Sequence, residues 1–268
     1  MKAISSADNA GFRSWLRLAE MPREVREQRR TLAEGIHLAE AIHAAGNPIE
    51  ALLLRRGADR ADVRQWTETL VAAGVPAYEL APSLFDRLSP VERGCGMLLV
   101  IPLPEPQRPA SGDALFLDGI QDPGNAGALL RVAAAAGVRS VLAAPGTVGL
   151  WSPKVLRGAQ GAHFRLHLEE DIEASEARNA LPVHWIGAAA RSGTPLWNSR
   201  LTMERFGLMV GSEGAGLSGA AMAACDEHVT IPLASGVESL NVAAAAAICL
   251  FERRRQAEAL RGGRVYYA

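Results

Sequence analysis

The stretch ALFLDGIQDPGNAGALLRVAAAAGV, residues 114–138, runs from one apolar segment to another through the glycine-containing loop QDPGNAG. ALFLDGI has the length and composition of a buried strand, and residues 126–137 have those of a helix. Pro123 and the glycines predict a sharp turn in which the backbone can approach a ligand closely. Because ligands bind beyond the carboxyl ends of strands in open parallel sheets, the stretch predicts a strand–loop–helix unit with a ligand-binding loop.

The rest of the second half of the chain repeats this alternation. The predicted strands are SVLAAPG, LHLEE, VHWIGAAA, FGLMV and EHVTIPLA, and the predicted helices are SPKVLRGAQGAHF, DIEASEARNAL and SLNVAAAAAICLFERRRQAEAL. Strands that alternate with helices indicate an α/β fold with a mostly parallel sheet covered by helices on both faces.

The N-terminal part shows a smaller version of the same pattern. Helices are predicted over residues 12–20 and 25–45, followed by the strand IEALLLRR, the helix ADVRQWTETLVAAGV, the strand PAYELA, a helical turn in PSLFDRLS and the strand GCGMLLVIP. Residues 101–112 then carry four prolines, which favour a stiff connector over a helix or a central strand. We therefore expect a small α/β domain over residues 1–100, a linker over 101–112 and a larger domain over 113–268.

The composition is that of a globular protein, with 49% hydrophobic and 21% charged residues. A net charge of −1 excludes a global basic field, so a nucleic-acid partner would need a local basic patch. The longest apolar run, LNVAAAAAICLF, is too short for a membrane span of about 20 residues, and the N-terminus lacks the apolar core of a signal peptide. The three cysteines form no CxxC pair, which argues against a metal site. We expect a soluble cytoplasmic protein without a structural metal.

Three predicted loops at strand ends combine glycine with polar residues: DPGNAG, GSEGAG and IPLASGVESLN. Neither glycine loop fits the dinucleotide pattern GxGxxG or the phosphate-binding Walker pattern. The candidate site residues in and after these loops are Asn125, Arg131, Glu213, Ser239 and Asn241. Each also has an ordinary structural interpretation, as a turn residue, a helix cap or a solvated charge, and local sequence alone leaves both interpretations open.

These segments carry a family resemblance. LDGIQDPGNAGALLRVAAAAGV, LMVGSEGAGLS and IPLASGVESLNVAAAAAICLFE resemble the three ordered motifs of the SpoU/TrmH-type RNA ribose 2′-O-methyltransferases of the SPOUT superfamily. The resemblance covers essentially residues 113–256. ISSADNAGFRSWLRL and REQRRTLAEGIHLAEAI resemble the small RNA substrate-binding domain of the rRNA-directed members.

The resemblance implies a trefoil knot, S-adenosyl-L-methionine as cofactor, and a homodimer with its active site near the interface. By motif position it places Asn125, Arg131, Glu213, Ser239 and Asn241 at the reaction centre. It places Gly211, Gly214, Ile231 and Leu240 against the cofactor. The family proposal makes Arg131 the base. Because a guanidinium group holds its proton tightly, a perturbed Arg131, a substrate phosphate and late proton loss all stay open.

The expected partner is RNA. Candidate RNA-binding residues are Arg26, Arg29, Arg30, Lys154 and Arg157, because a local basic patch can bind the backbone of RNA within a neutral protein; solvated helix faces are the alternative. The N-terminal domain favours large-subunit rRNA as substrate, with tRNA as the alternative. A non-catalytic RNA-binding protein of the same fold is a further alternative, and a dinucleotide oxidoreductase is disfavoured by the missing GxGxxG.

Overall fold

The computed structural model describes residues 1–91, 94–105, 111–190 and 192–260. The chain divides into two compact units. The first comprises Met1–Glu105 together with Trp151–Phe164, and the second comprises Pro106–Leu150 and Arg165–Ala268. Residues 106–110 of the predicted linker lie outside the described residues. The assignment of an RNA-binding domain and a catalytic domain to the two parts of the chain stays a prediction.

The first unit contains a five-stranded sheet with strand order β1-β4-β3-β5-β2. β1, β4 and β3 run parallel, whereas β5 pairs antiparallel with both β3 and β2. Its elements in Met1–Glu105 are β1 (Lys2–Ile4), α1 (Ala10–Glu20), α2 (Pro22–Gln28), β2 (Arg30–Glu34), α3 (Ile36–Ala44), β3 (Ala51–Arg55), α4 (Ala61–Ala72), β4 (Ala77–Leu80), α5 (Pro82–Leu88) and β5 (Met97–Pro102).

The elements that follow complete the fold in chain order. They are β6 (Ala114–Asp118), α6 (Pro123–Ala136), β7 (Ser140–Ala143), α7 (Pro153–Ala159), β8 (His167–Glu170), α8 (Ala174–Ala180), β9 (His184–Ala188), β10 (Thr194–Pro195), β11 (Phe206–Gly211), α9 (Gly219–Ala224), β12 (Glu227–Thr230) and α10 (Val242–Leu260). Of these, α7 belongs to the first unit and the others belong to the second.

The prediction of one helix over residues 25–45 is wrong. The structure breaks this segment into α2, β2 and α3. Arg29 adopts the left-handed conformation with φ of 49°, which ends α2, and Gly35 with φ of 114° separates β2 from α3. Between them, Thr31, Leu32 and Ala33 are buried on both sides of a strand that pairs with β5. The pairing partner lies far along the chain, so helical periodicity in this segment was misleading.

The second unit confirms the predicted fold class. Its seven strands are all parallel, in the order β10-β12-β9-β11-β6-β7-β8. One face of the sheet packs Phe116 and Trp185 against α8 and α9 in a shared apolar core. Leu115 and Leu208, which alternate with this face, are also fully buried, and α10 contacts both β11 and α6. β1, β10 and α9 were not predicted, because strands of two or three residues and a helix of six residues are too short for a readable periodicity.

Candidate active site

The three predicted loops meet at the carboxyl edge of the seven-stranded sheet. β6 and β11 are neighbours in parallel register, with Asp118 opposite Gly211 at their carboxyl ends. The loop from β6 leads into α6, the loop from β11 runs toward α9, and the third loop joins β12 to α10. Parallel strands bring their carboxyl ends to one edge, so loops that are far apart in sequence become neighbours there.

One side chain from each loop enters a hydrogen-bonded cluster that we call the polar triangle, formed by Asn125, Glu213 and Asn241. The side-chain amide of Asn125 donates to Glu213 Oε1 at 2.6 Å. Asn241 Nδ2 donates to Asn125 Oδ1 at 2.8 Å and to Glu213 Oε1 at 3.1 Å. Three of the five residues predicted for the reaction centre are therefore in direct contact.

Helix starts hold two corners of the polar triangle in place. Asp122 caps α6, and its Oδ1 accepts from the backbone N–H of Asn125 at 2.7 Å. Asn241 precedes α10, and its Oδ1 accepts from the backbone N–H groups of Ala243 and Ala244 at 3.0 and 3.3 Å. Asn241 thus caps α10 and also belongs to the polar triangle, while its role at a reaction centre stays a prediction. The cap of α6 is Asp122, which our sequence reasoning did not single out although Asp before a proline is a typical helix-start signal.

A cavity of about 550 Å³ opens beside the polar triangle. Glu213 lines this cavity and also belongs to the triangle, so the two features share a wall. The four residues predicted to contact a cofactor all line this cavity, namely Gly211, Gly214, Ile231 and Leu240. Ser239 of the predicted reaction centre lines it as well. The rest of the wall includes apolar side chains and a second carboxylate, which are Val210, Leu217, Met222, Val229, Leu233, Val242 and Glu238.

Two glycines of the cavity wall, Gly211 and Gly214, differ in the space available for a side chain. A Cβ added to Gly211 would lie 2.0 Å from the carbonyl carbon and oxygen of Gly216, so the backbone of the loop packs directly on this position. A Cβ added to Gly214 would meet no atom within 4 Å. Gly211 is therefore needed for the shape of the loop itself, whereas the protein leaves open space at Gly214.

Arg131 lies apart from the contacts of the polar triangle. It is exposed on α6, and it makes no hydrogen bond or ion pair within the described ranges. It follows Asn125 by six residues, which is about 9 Å along a helix axis. The protein does not use this guanidinium group for its own packing, so the group is available to a ligand.

The predicted RNA-binding residues all fall in the first unit, and most of them have protein partners. Arg29 donates to the carbonyl of Pro104 at 2.6 Å and Arg30 pairs with Glu50 at 2.7 Å. Arg157 points to the backbone carbonyl of Glu34 at 3.4 Å. Lys154 is exposed at the start of α7, and Arg26 lies on α2. The Arg30–Glu50 ion pair is partly exposed, and such pairs contribute little to stability, so a phosphate can replace Glu50 at small cost.

Membrane-spanning helices and metal-binding clusters are both absent from the described part of the chain. No helix there has the length and apolar character that crossing a membrane requires. Within the same residues, no cluster of three or more His, Cys, Asp or Glu side chains is arranged to bind a metal ion.

The fold and the site define a class of protein: an α/β protein with a parallel sheet that presents a small-molecule cavity and a polar cluster at its carboxyl edge. Residues 114–251 match the SpoU rRNA Methylase family. The chain belongs to this family, as the motifs in its sequence indicated.

Individual relatives cover nearly the whole chain. The 23S rRNA (guanosine(2553)-2′-O)-methyltransferase RlmP of Bacillus subtilis (strain 168) is 32% identical over 95% of this chain and 100% of its own length. The crystal structure of an RNA 2′-O ribose methyltransferase is 30% identical, with a TM-score of 0.78 over 95% of this chain and 98% of its own. The SpoU methyltransferase AviRb from Streptomyces viridochromogenes, crystallised with AdoMet, is 26% identical, with a TM-score of 0.83 over 96% of this chain and 100% of its own.

Proposed function

We propose that this chain transfers a methyl group from S-adenosylmethionine to a ribose 2′-hydroxyl of large-subunit rRNA. One observation carries the proposal: Glu213 joins the polar triangle and lines the cavity, so the three family motifs converge on one point between a ligand pocket and solvent. The relative RlmP, which aligns over its full length, is named as an enzyme that methylates a guanosine 2′-oxygen of 23S rRNA.

The cavity suits S-adenosylmethionine in size and chemistry. Its volume of about 550 Å³ lies within the roughly 300–1,000 Å³ of typical small-molecule sites. Apolar side chains suit an adenosine ring, and the carboxylates of Glu213 and Glu238 suit a ligand with a cationic sulfur and a cationic amino group. When bound, this cofactor supplies a methyl group on a positively charged sulfur. Four wall residues are proposed to hold it, namely Gly211, Gly214, Ile231 and Leu240.

The polar triangle positions groups for the hydroxyl that reacts. Glu213 Oε1 accepts two hydrogen bonds, which fix the position of the side chain. Ser239, on the cavity wall, offers a hydroxyl that can donate or accept. Arg131 is proposed to face the target ribose and the adjoining phosphate, because a guanidinium group binds an anion with two parallel hydrogen bonds. Holding two reactants in line contributes several kcal/mol to a transfer reaction.

The first unit is proposed to bind the RNA around the reaction site. Its candidate contacts are Arg26, Arg29, Arg30, Lys154 and Arg157. We also propose the remaining features that the family resemblance implies, which are a trefoil knot around the cofactor site, a homodimer and a cytoplasmic location. A tRNA substrate is the alternative, and a non-catalytic role is disfavoured by the intact polar triangle.

The test is methyl transfer from labelled S-adenosylmethionine to purified rRNA and tRNA fractions, followed by mapping of the ribose-methylated positions. We expect label in large-subunit rRNA at a 2′-oxygen. Label in tRNA alone would keep the reaction and overturn the substrate. Binding of the cofactor without transfer to either fraction, including ribosomal assembly intermediates, would overturn the proposed reaction.

A further inference from the structure

A carboxylate outside the predicted site holds the loop that carries Glu213. Asp118 ends β6, where it stands opposite Gly211 in the parallel register. Its Oδ2 accepts from the backbone N–H of Ser218 at 2.6 Å, across 100 positions of sequence. Ser218 is in turn the cap of α9, because its hydroxyl oxygen accepts from the N–H of Ala221 at 3.1 Å.

The segment between Gly211 and Ser218, which we call the glycine loop, is a tight turn with few internal contacts. Gly216 N donates to Ser212 O at 2.8 Å, and Ala215 N donates to Ser212 Oγ at 3.3 Å. The loop folds back so closely that Gly211 has no room for a side chain. Glu213 and Gly214 are exposed at its tip.

The two ends of the glycine loop are therefore fixed at neighbouring points of the same two strands. Gly211 is fixed by the β11–β6 ladder, and Ser218 is fixed by the carboxylate at the end of β6. A hydrogen bond from a backbone N–H to a carboxylate is roughly twice as strong as one between neutral groups, so the bond from Ser218 to Asp118 is a strong restraint on the exit of the loop. Loops with few buried contacts open at a low free-energy cost, so the loss of one strong restraint is expected to raise the population of open states.

We infer that Asp118 is a positioning residue, which holds the glycine loop in the shape that forms the cofactor wall and presents Glu213 to the polar triangle. It touches neither Asn125 nor Asn241 in any hydrogen bond of the described residues, so it acts through the loop. The ligand part of this inference rests on the proposed function, since it assumes that S-adenosylmethionine occupies the cavity.

The test compares Asp118→Ala and Asp118→Asn with a matched control. Glu173 caps α8, with its carboxylate accepting a backbone N–H, so Glu173→Ala removes an equivalent bond from a helix start away from the cavity. Two readouts are taken on the full chain: amide hydrogen exchange of residues 212–218 without ligand, and the affinity for S-adenosylmethionine by calorimetry. Thermal midpoints of all variants provide the correction for general destabilisation.

We expect Asp118→Ala to speed exchange in residues 212–218 and to weaken cofactor binding about tenfold or more. Asp118→Asn keeps an acceptor oxygen, so we expect it to retain most of the wild-type protection from exchange and most of the cofactor affinity. Glu173→Ala is expected to change neither, although its thermal midpoint falls by a similar amount. The inference would be overturned if Asp118→Ala left the exchange of residues 212–218 unchanged. It would also be overturned if Glu173→Ala lost as much protection and affinity as Asp118→Ala. If the wild-type chain bound no S-adenosylmethionine while the exchange difference persisted, the proposed function would fail and the role of Asp118 in the loop would stand.

Discussion

The guanidinium group of Arg131 makes no hydrogen bond or ion pair with the described residues. It stands exposed on a helix whose other residues include the buried Leu129 and Leu130, and no partner for its guanidinium occurs among the described residues. Its neighbour in the motif, Asn125, has both side-chain groups engaged by the protein. A guanidinium group that the protein leaves free, on the helix that carries Asn125 in its first turn, is a candidate for contact with an anionic substrate.

Replacing Arg131 by alanine should therefore abolish methyl transfer while leaving cofactor affinity within about twofold and stability nearly unchanged. Transfer is measured with labelled S-adenosylmethionine on rRNA, and affinity is measured by calorimetry. Arg205→Ala is the matched control, because Arg205 is also exposed but lies directly before β11, at the far end of the strand from Gly211. Normal transfer in Arg131→Ala would remove this residue from the reaction centre.

Gly211 and Gly214 provide a second contrast at the scale of single residues. A methyl group at Gly211 would overlap the backbone of Gly216 at 2.0 Å, whereas a methyl group at Gly214 enters open space. We expect Gly211→Ala to destabilise the protein by about 1–3 kcal/mol or more, in line with overpacking, and to lose cofactor binding. Gly214→Ala should retain the stability of the wild type, so any loss of affinity there reports on the ligand alone. Urea unfolding and calorimetry distinguish the two, and equal stability of both variants would contradict the packing argument.

At the scale of elements, α10 joins the candidate site to the opposite end of the sheet. Its first turn is capped by Asn241 of the polar triangle. Farther along, Arg253 is only 7% exposed and donates to the carbonyls of Leu201 and Met203 at 3.0 and 2.9 Å. Its Nε lies 3.3 Å from Asp113 Oδ2. The buried guanidinium group thus ties α10 to the segments that lead into β6 and β11.

Arg253→Met should destabilise the second unit by about 3–5 kcal/mol, because the Asp113 carboxylate loses its cationic partner and keeps only the Phe206 N–H, while two carbonyls lose the guanidinium donor. Arg255→Met on the same helix is the control, since Arg255 pairs with Glu252 at the surface and such exposed pairs contribute little to stability. Urea unfolding, monitored by circular dichroism, measures the free energy of unfolding of both variants. Similar midpoints for the two variants would show that the buried network contributes no more than a surface pair.

The segment that carries α7 groups with a different unit from the residues that flank it in the sequence. Residues 151–164 follow β7 of the second unit, yet they group with the first unit. Thr31 Oγ1 donates to the carbonyl of Trp151 at 2.7 Å in a buried position on β2. The ring of Trp151 packs on the rings of His163 and Phe164, with centroid distances of 4.9 and 6.2 Å. The contact with β2 is made across 120 positions of sequence, which no local pattern reveals.

At the scale of the whole molecule, one buried carboxyl group is expected to make stability depend on pH. Glu34 at the end of β2 is 2% exposed, and its Oε2 accepts from the Ser89 hydroxyl at 2.6 Å. Burial raises the pKa of Glu34 above its ordinary value of 4.5, while the Ser89 hydroxyl and Arg157 act in the opposite direction and Asp86 adds to the increase. Its Oε1 has no hydrogen-bond partner among the described residues.

Because the folded protein holds the proton of Glu34 at higher pH than the unfolded chain does, this group favours folding below about pH 4.5. That contribution is lost as the pH rises through the pKa of the folded state, and stability then levels off. We expect Glu34→Gln to flatten this part of the profile of unfolding free energy against pH, as measured by urea unfolding. Glu68→Gln, at an exposed position on α4, should leave the slope unchanged. An identical slope in wild type and Glu34→Gln would contradict the assignment.

Local sequence was sufficient for much of this protein. The apolar runs of the second half predicted the strands and helices of a parallel sheet, because a strand buried on both faces reads as a continuous apolar run. The loops at strand ends predicted where a ligand would bind, because glycine, proline and a capping residue act within a few positions of one another. The ordered motifs identified the family, and the family model matches the same stretch of chain.

Only the tertiary structure decided which of these residues meet and what each one contacts. Asn125, Glu213 and Asn241 come together across up to 116 positions of sequence, Asp118 reaches Ser218, and the supposed helix over 25–45 contains a strand because β5 pairs with it. These outcomes depend on non-local pairing and burial, and the free energy of such contacts exists only once the sheet has formed. Propensity and periodicity report on the neighbours along the chain, whereas the candidate site is made by neighbours in space.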